Sequence, residues 1–91
     1  DAFDWDLLRS FLVVARAGRL TVAARTMGID HSTLSRRMYG LEKILGVTLF
    51  DRRLSGYPLT SQGEKLLALA EEVEGGVIGI QALRKVSSAP L

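Results

Sequence analysis

Cysteine is absent from these 91 residues, histidine occurs once and proline twice. Without thiols the chain can form neither a disulfide nor a thiolate metal centre, which fits a reducing compartment such as the cytoplasm. A single imidazole cannot build a histidine-ligated metal site, so no metal and no cofactor are expected. Nor can His31 anchor a nucleophile triad. Asp30 and Ser32 are its chain neighbours, and adjacent residues on a helix do not face each other. No apolar run reaches the ~18–20 residues of a bilayer span, and no secretory signal opens the chain. Acidic residues are scarce in the middle. Residues 7–63 carry nine Lys and Arg against three acids, a local charge of +6 within a total of +2. Enzyme, membrane and cofactor classes are thereby set aside, and a surface suited to phosphate is left.

What is present is mostly helical patterning over one small domain, with a hydrophobic fraction of 47% for its core. The spacing of Trp5, Leu8, Phe11, Leu12 and Ala15 predicts a first helix from about Trp5 to Ala17, capped by Asp4 and ended by Gly18. A second, short helix is expected from an N-cap at Thr21 to Met27, with Gly28 beyond it. Ala23 and Ala24 leave room for close packing, and Ile29 should point inward. A third helix follows from Asp30 as N-cap to about Leu45, with Leu34, Met38, Leu41 and Leu45 as its buried stripe and Gly46 as its stop. Two helices joined by a Gly-containing turn, the second polar and basic at its start, form a helix-turn-helix.

Val47-Thr48-Leu49-Phe50, the turn Ser55-Gly56 and Tyr57-Pro58-Leu59 read as a two-stranded hairpin, a wing. Thr60 then caps a last helix. Gly63 stands where a complete capping box has Glu or Gln. The expected organisation is a winged domain over 1–60, a linker helix over 61–86 and a hinge or tail over 87–91. The opening Asp1 and the loop-like ending suggest an excised part of a longer protein.

Side chains at the start of the third helix can reach base edges in a major groove. His31, Ser32, Thr33 and Ser35 can exchange hydrogen bonds with bases and phosphates, and Arg36 and Arg37 can pair with guanine or phosphate. Arg52 and Arg53, beside the hairpin tip, can enter the neighbouring minor groove or clamp a phosphate. A plainer reading competes, in which Asp30, Ser32 and Thr33 merely cap a helix and the arginines form a solvated face. On the last helix Leu66, Leu69, Val73, Val77, Ile80 and Leu83 make an apolar stripe longer than one small domain can cover, which predicts a homodimer. Gly75, Gly76 and Gly79 permit close approach of a partner helix or mark a kink, and both readings stand.

The blocks Leu8 with Phe11, Val14-Ala15 with Gly18, Thr21 with Ala23-Ala24, Leu34-Ser35-Arg36, Leu41-Glu42 with Leu45-Gly46-Val47, Leu49-Phe50-Asp51-Arg52 and Leu59-Thr60 with Gly63 follow one another without a gap. In this order they resemble the N-terminal DNA-binding domain of a LysR-type transcriptional regulator, over residues 5–85 or so. The resemblance implies a mostly α winged helix-turn-helix, with three helices and a short β-hairpin wing. A long linker helix follows, which pairs antiparallel with its copy. It implies binding of double-stranded promoter DNA at interrupted inverted repeats, and an effector small molecule sensed by a C-terminal domain outside these residues. The family's Ser/Thr-Gln-Pro/Ser-Ala/Thr falls on Asp30-His31-Ser32-Thr33, so His31 replaces the Gln. Arg37 stands where Gln is common, and Tyr57-Pro58 departs from the usual wing. The alternative is a protein–protein module that docks an acidic partner on the basic face and the apolar last helix. A two-fold symmetric footprint on a duplex separates the two.

Overall fold

Glycines mark the ends of the first three helices of this chain. In the computed structural model, which describes the backbone of residues 4–87 and side chains through residue 84, α1 spans Trp5–Ala17. The Asp4 carboxylate accepts the Leu7 N–H at 2.9 Å, satisfying one donor that the helix leaves free. Gly18 closes α1 at φ 75°, a left-handed conformation that costs glycine nothing. Next come α2 (Leu20–Met27), α3 (His31–Leu45) and α4 (Ser61–Ser87).

Two caps differ from expectation. The N-cap of α2 is Arg19, in extended backbone and without a side-chain cap bond, rather than Thr21. Leu20 packs against the core, and drawing it inward starts the helix two residues early. Asp30 does occupy the N-cap of α3, yet its carboxylate bonds no backbone N–H of the first turn.

The core gathers Leu8, Phe11, Leu12 and Val14 of α1, Ala23 and Ala24 of α2, Leu34, Met38 and Leu41 of α3, then Leu49, Phe50 and Ala70. Each large side chain so buried contributes about 1.5–3 kcal/mol of transfer free energy. Ile29 packs against this cluster from the turn. Leu45, expected to end the buried stripe, is 39% exposed, because the core stops one turn earlier at Leu41.

The hairpin is reduced. Among the described residues it contains one antiparallel bridge, Phe50 to Leu59, and no strand. Asp51 N–H donates to the Pro58 carbonyl at 2.8 Å, and Thr60 N–H to the Leu49 carbonyl at 2.9 Å. Neither bond has its return. Pro58 has no N–H to give, and the Leu49 N–H is taken by the Glu42 carboxylate at 2.7 Å. The ladder therefore stops after one rung on each side.

Thr60 caps α4 as expected, its Oγ1 accepting the Gly63 N–H at 3.1 Å. A Cβ at position 63 would run into the Leu49 carbonyl, which is why glycine replaces the capping-box Glu or Gln. The first half of α4 lies on α1 through Leu66, Leu67 and Ala70. Arg16 ties the two helices with bonds to Glu74 at 2.6 and 3.0 Å and to Glu71 at 3.5 Å. The helix continues past Glu74 to Ser87, and the molecule has principal extents of 56 × 25 × 23 Å. No helix among the described residues is long and apolar enough to cross a membrane. Residues 88–91, read as the end of a hinge or tail, lie outside the described residues.

Candidate nucleic-acid interface

The three buried residues of α3 decide which of its side chains face out. Leu34, Met38 and Leu41 are inside, and the helical period turns His31, Ser32, Arg36 and Arg37 to solvent, with Thr33 and Ser35 half-buried at the margins. All six predicted residues of the helix therefore lie in its first two turns, four of them on the open face. Because Asp30 leaves the first-turn N–H groups uncapped, that end also presents free donors and the positive end of the helix dipole. Arg36 makes no ion pair or hydrogen bond among the described residues. Arg37 reaches back to the Ser10 hydroxyl at 3.4 Å. Ser10 is itself buried, and its hydroxyl donates to the Asp6 carbonyl at 3.0 Å.

The two wing arginines are placed differently from each other. Arg53 is exposed, but its guanidinium lies against Asp51 at 2.9 and 3.0 Å, and its own N–H also donates to that carboxylate. The Asp51 carboxyl is held below the usual carboxylate range, first by the Arg53 side chain and then by the Arg53 N–H.

Arg52 turns inward. Its Nη1 bonds both Glu42 oxygens at 2.9 and 3.0 Å, and its Nε donates to the Tyr57 hydroxyl at 3.1 Å. The guanidinium carbon sits 3.9 Å from the centre of the Tyr39 ring, and Nη2 is enclosed without a partner. Burial works against the Arg52 charge, but Glu42 and Tyr57 outweigh it and hold the group more firmly protonated than usual. Its Nε and Nη1 bonds are thus made within the protein.

Glu42 was not among the candidate residues from the sequence, although a signal existed. It stands four residues after the buried Met38 and beside the buried Leu41, where a carboxylate needs a partner. Tyr39, more than half exposed on α3, was missed as well.

On α4 the expected stripe divides. Leu66 packs against the domain's own core and Val77 is half-buried, whereas Leu69, Val73, Ile80 and Leu83 stand 46–68% exposed.

The profile of the bacterial regulatory helix-turn-helix proteins of the lysR family matches residues 5–64. The HTH-type transcriptional regulator DgdR of Burkholderia cepacia is 44% identical over 68 residues, which are 75% of this chain and 23% of DgdR. The chain spans about a quarter of the length of the curated relatives it matches. Among solved structures, the BenM DNA-binding domain in complex with benA site 1 DNA superposes with a TM-score of 0.88 at 26% identity, over 94% of this chain and all of that one. Full-length CbnR complexed with its target DNA superposes with a TM-score of 0.80 at 29% identity, over 94% of this chain and 30% of that one.

Proposed function

This chain belongs to the lysR family of bacterial regulatory helix-turn-helix proteins as one of its DNA-binding domains, and we propose that it reads promoter DNA as a homodimer. The observation that carries this reading is the open face of α3, where His31, Ser32, Arg36 and Arg37 stand exposed above a fully buried Leu34-Met38-Leu41 stripe. An α-helix fits the major groove, and its N-terminal side chains reach base edges there. His31, Ser32, Thr33 and Ser35 read bases or brace phosphates, while Arg36, Arg37 and Arg53 supply most of the affinity through phosphate.

The exposed Leu69, Val73, Ile80 and Leu83 of α4 support pairing with a second copy, with Val77 at the edge of the seam. Two copies place two α3 helices in successive major grooves about one helical turn apart, on a near-palindromic site. The domain acts by binding and not by catalysis, in the cytoplasm where the DNA lies. Sensing of a small-molecule effector belongs to the further length that its relatives have. The test is footprinting of the 91-residue chain on duplexes that carry an inverted repeat. Two protected half-sites related by a dyad are expected, with affinity falling steeply as salt rises. Protection without symmetry or sequence preference would sink the reading and favour an acidic protein partner.

A further inference from the structure

Resting on the DNA-binding reading for its functional arm, we propose that Glu42 is the residue that positions the wing against the recognition helix. One carboxylate on α3 then fixes where Arg53 stands relative to His31 and Arg36.

The hairpin cannot hold itself in place. It has a single bridge, and neither flanking backbone bond is returned. Leu49 and Phe50 seat one side in the core, and Glu42 ties that side's backbone to α3, its Oε2 accepting Leu49 N–H at 2.7 Å and Phe50 N–H at 3.3 Å. The same carboxylate binds Arg52 through both oxygens. Arg52 carries the linkage across to the returning side through its bond to the Tyr57 hydroxyl, and lies on the Tyr39 ring of α3. Tyr57 is the one non-glycine residue at positive φ (55°) among the described residues, a backbone conformation that needs outside support. Its ring is also 4.7 Å from that of Phe50.

Both sides of the wing thus lead to one α3 carboxylate that is 11% exposed. Bonds to a charged acceptor are about twice as strong as neutral ones, so Glu42 outweighs the two rungs of the hairpin. Arg53 follows Arg52 directly in the chain, and its position is inherited from this anchor. Glu42 itself need not touch DNA.

The test uses the 91-residue chain as wild type, Glu42→Gln and Arg52→Lys, each with and without Arg53→Ala. Gln keeps an acceptor for Leu49 but loses the charge that holds Arg52. Lys keeps the charge but loses the fork that reaches Tyr57. In the free protein, residual dipolar couplings of residues 51–58 should fit the alignment frame of α3 in wild type and depart from it in both variants, while α1 to α3 still share one frame. On duplex DNA, Arg53→Ala should reduce the salt slope of wild-type binding by about one and change nothing in either variant background. The preference among bases facing α3 should stay within about twofold throughout, since discrimination comes from the base contacts rather than the wing's phosphate contacts.

Wing couplings that keep the α3 frame in both variants overturn the proposal. So does an Arg53→Ala effect that is equal in all backgrounds or absent from wild type. Unfolding of both variants also overturns it, since the pair would then serve the whole fold. A wild type that binds no duplex strikes the DNA-binding reading instead, and the dipolar couplings still decide the role of Glu42.

Discussion

The first two turns of α3 and the wing carry two arginines each, yet the two regions hold them differently. On α3, Arg36 is exposed and has no partner among the described residues, and Arg37 touches only a hydroxyl. In the wing each arginine has a carboxylate, Glu42 for Arg52 and Asp51 for Arg53. A free guanidinium releases counterions from a phosphate at full effect, whereas a paired one must first exchange its partner. The +6 of residues 7–63 is therefore not a measure of binding capacity. Available charge lies on the helix, and the wing's charge serves first to shape the wing.

The largest effect that can break this contrast is one of stability. Glu42→Ala leaves the enclosed Arg52 guanidinium unpaired and frees two backbone donors. It should lower the unfolding free energy by about 2–3 kcal/mol. Asp30→Ala, at the uncapped start of α3, should stay within about 0.5 kcal/mol, because its carboxylate makes no cap bond to lose. Urea denaturation of both variants measures the difference. Equal losses would mean that the two carboxylates are alike and that the helix and the wing do not differ in this way.

Binding supplies the next test. Arg36→Ala should weaken duplex binding by about 1–3 kcal/mol, as expected for a free arginine at a groove. Arg53→Ala should cost less, since the wild-type side chain gives up Asp51 before it meets a phosphate. Titrations at one salt concentration compare the two directly, and a larger loss from Arg53 than from Arg36 would reverse the ranking.

Much of this arrangement was legible in the residues themselves. The apolar period of Leu34, Met38 and Leu41 gave α3 its buried side, and hence the exposed set on the opposite face. Gly18, Gly28 and Gly46 marked three helix ends, and each adopts the left-handed conformation that an end requires. The fate of Arg52 was not legible, because one-dimensional order does not reveal that Glu42, ten residues earlier, folds back beside it. The shortened wing has the same origin. Pro58 gave half of the reason in advance, but the other half, capture of the Leu49 N–H, depends on that same long-range carboxylate. The two-residue advance of α2 reflects packing of Leu20 against the core, a tertiary effect that overrides the capping preference of Thr21. The stripe on α4 could be seen as apolar, but its division at Leu66 depends on where α1 lies against it.

A smaller change would move the wing toward α3. Asp51→Asn removes the competitor for Arg53 while leaving Glu42 and Arg52 untouched. Exposed pairs are weak, so duplex affinity should rise only about two- to fivefold, with a steeper salt slope. Unchanged affinity and slope would show that Asp51 does not compete with DNA.

The smallest expected effect concerns pH and fixes the sign of that competition. Arg53 holds the Asp51 carboxyl below its ordinary value of 3.8. A depressed carboxyl contributes its pairing in full above the unfolded pKa and loses it only as pH falls through the lower, folded one. The Asp51–Arg53 pair is therefore intact throughout neutral and mildly acidic solution, and begins to fail only below about pH 4. The affinity difference between wild type and Asp51→Asn should accordingly be the same at pH 5 and at pH 8, whatever other groups do to the absolute affinities. A difference that shrinks toward pH 5 would mean that Asp51 already takes up protons there. Arg53 would then be released already in mildly acidic solution, and the contrast between the two regions would narrow with acid.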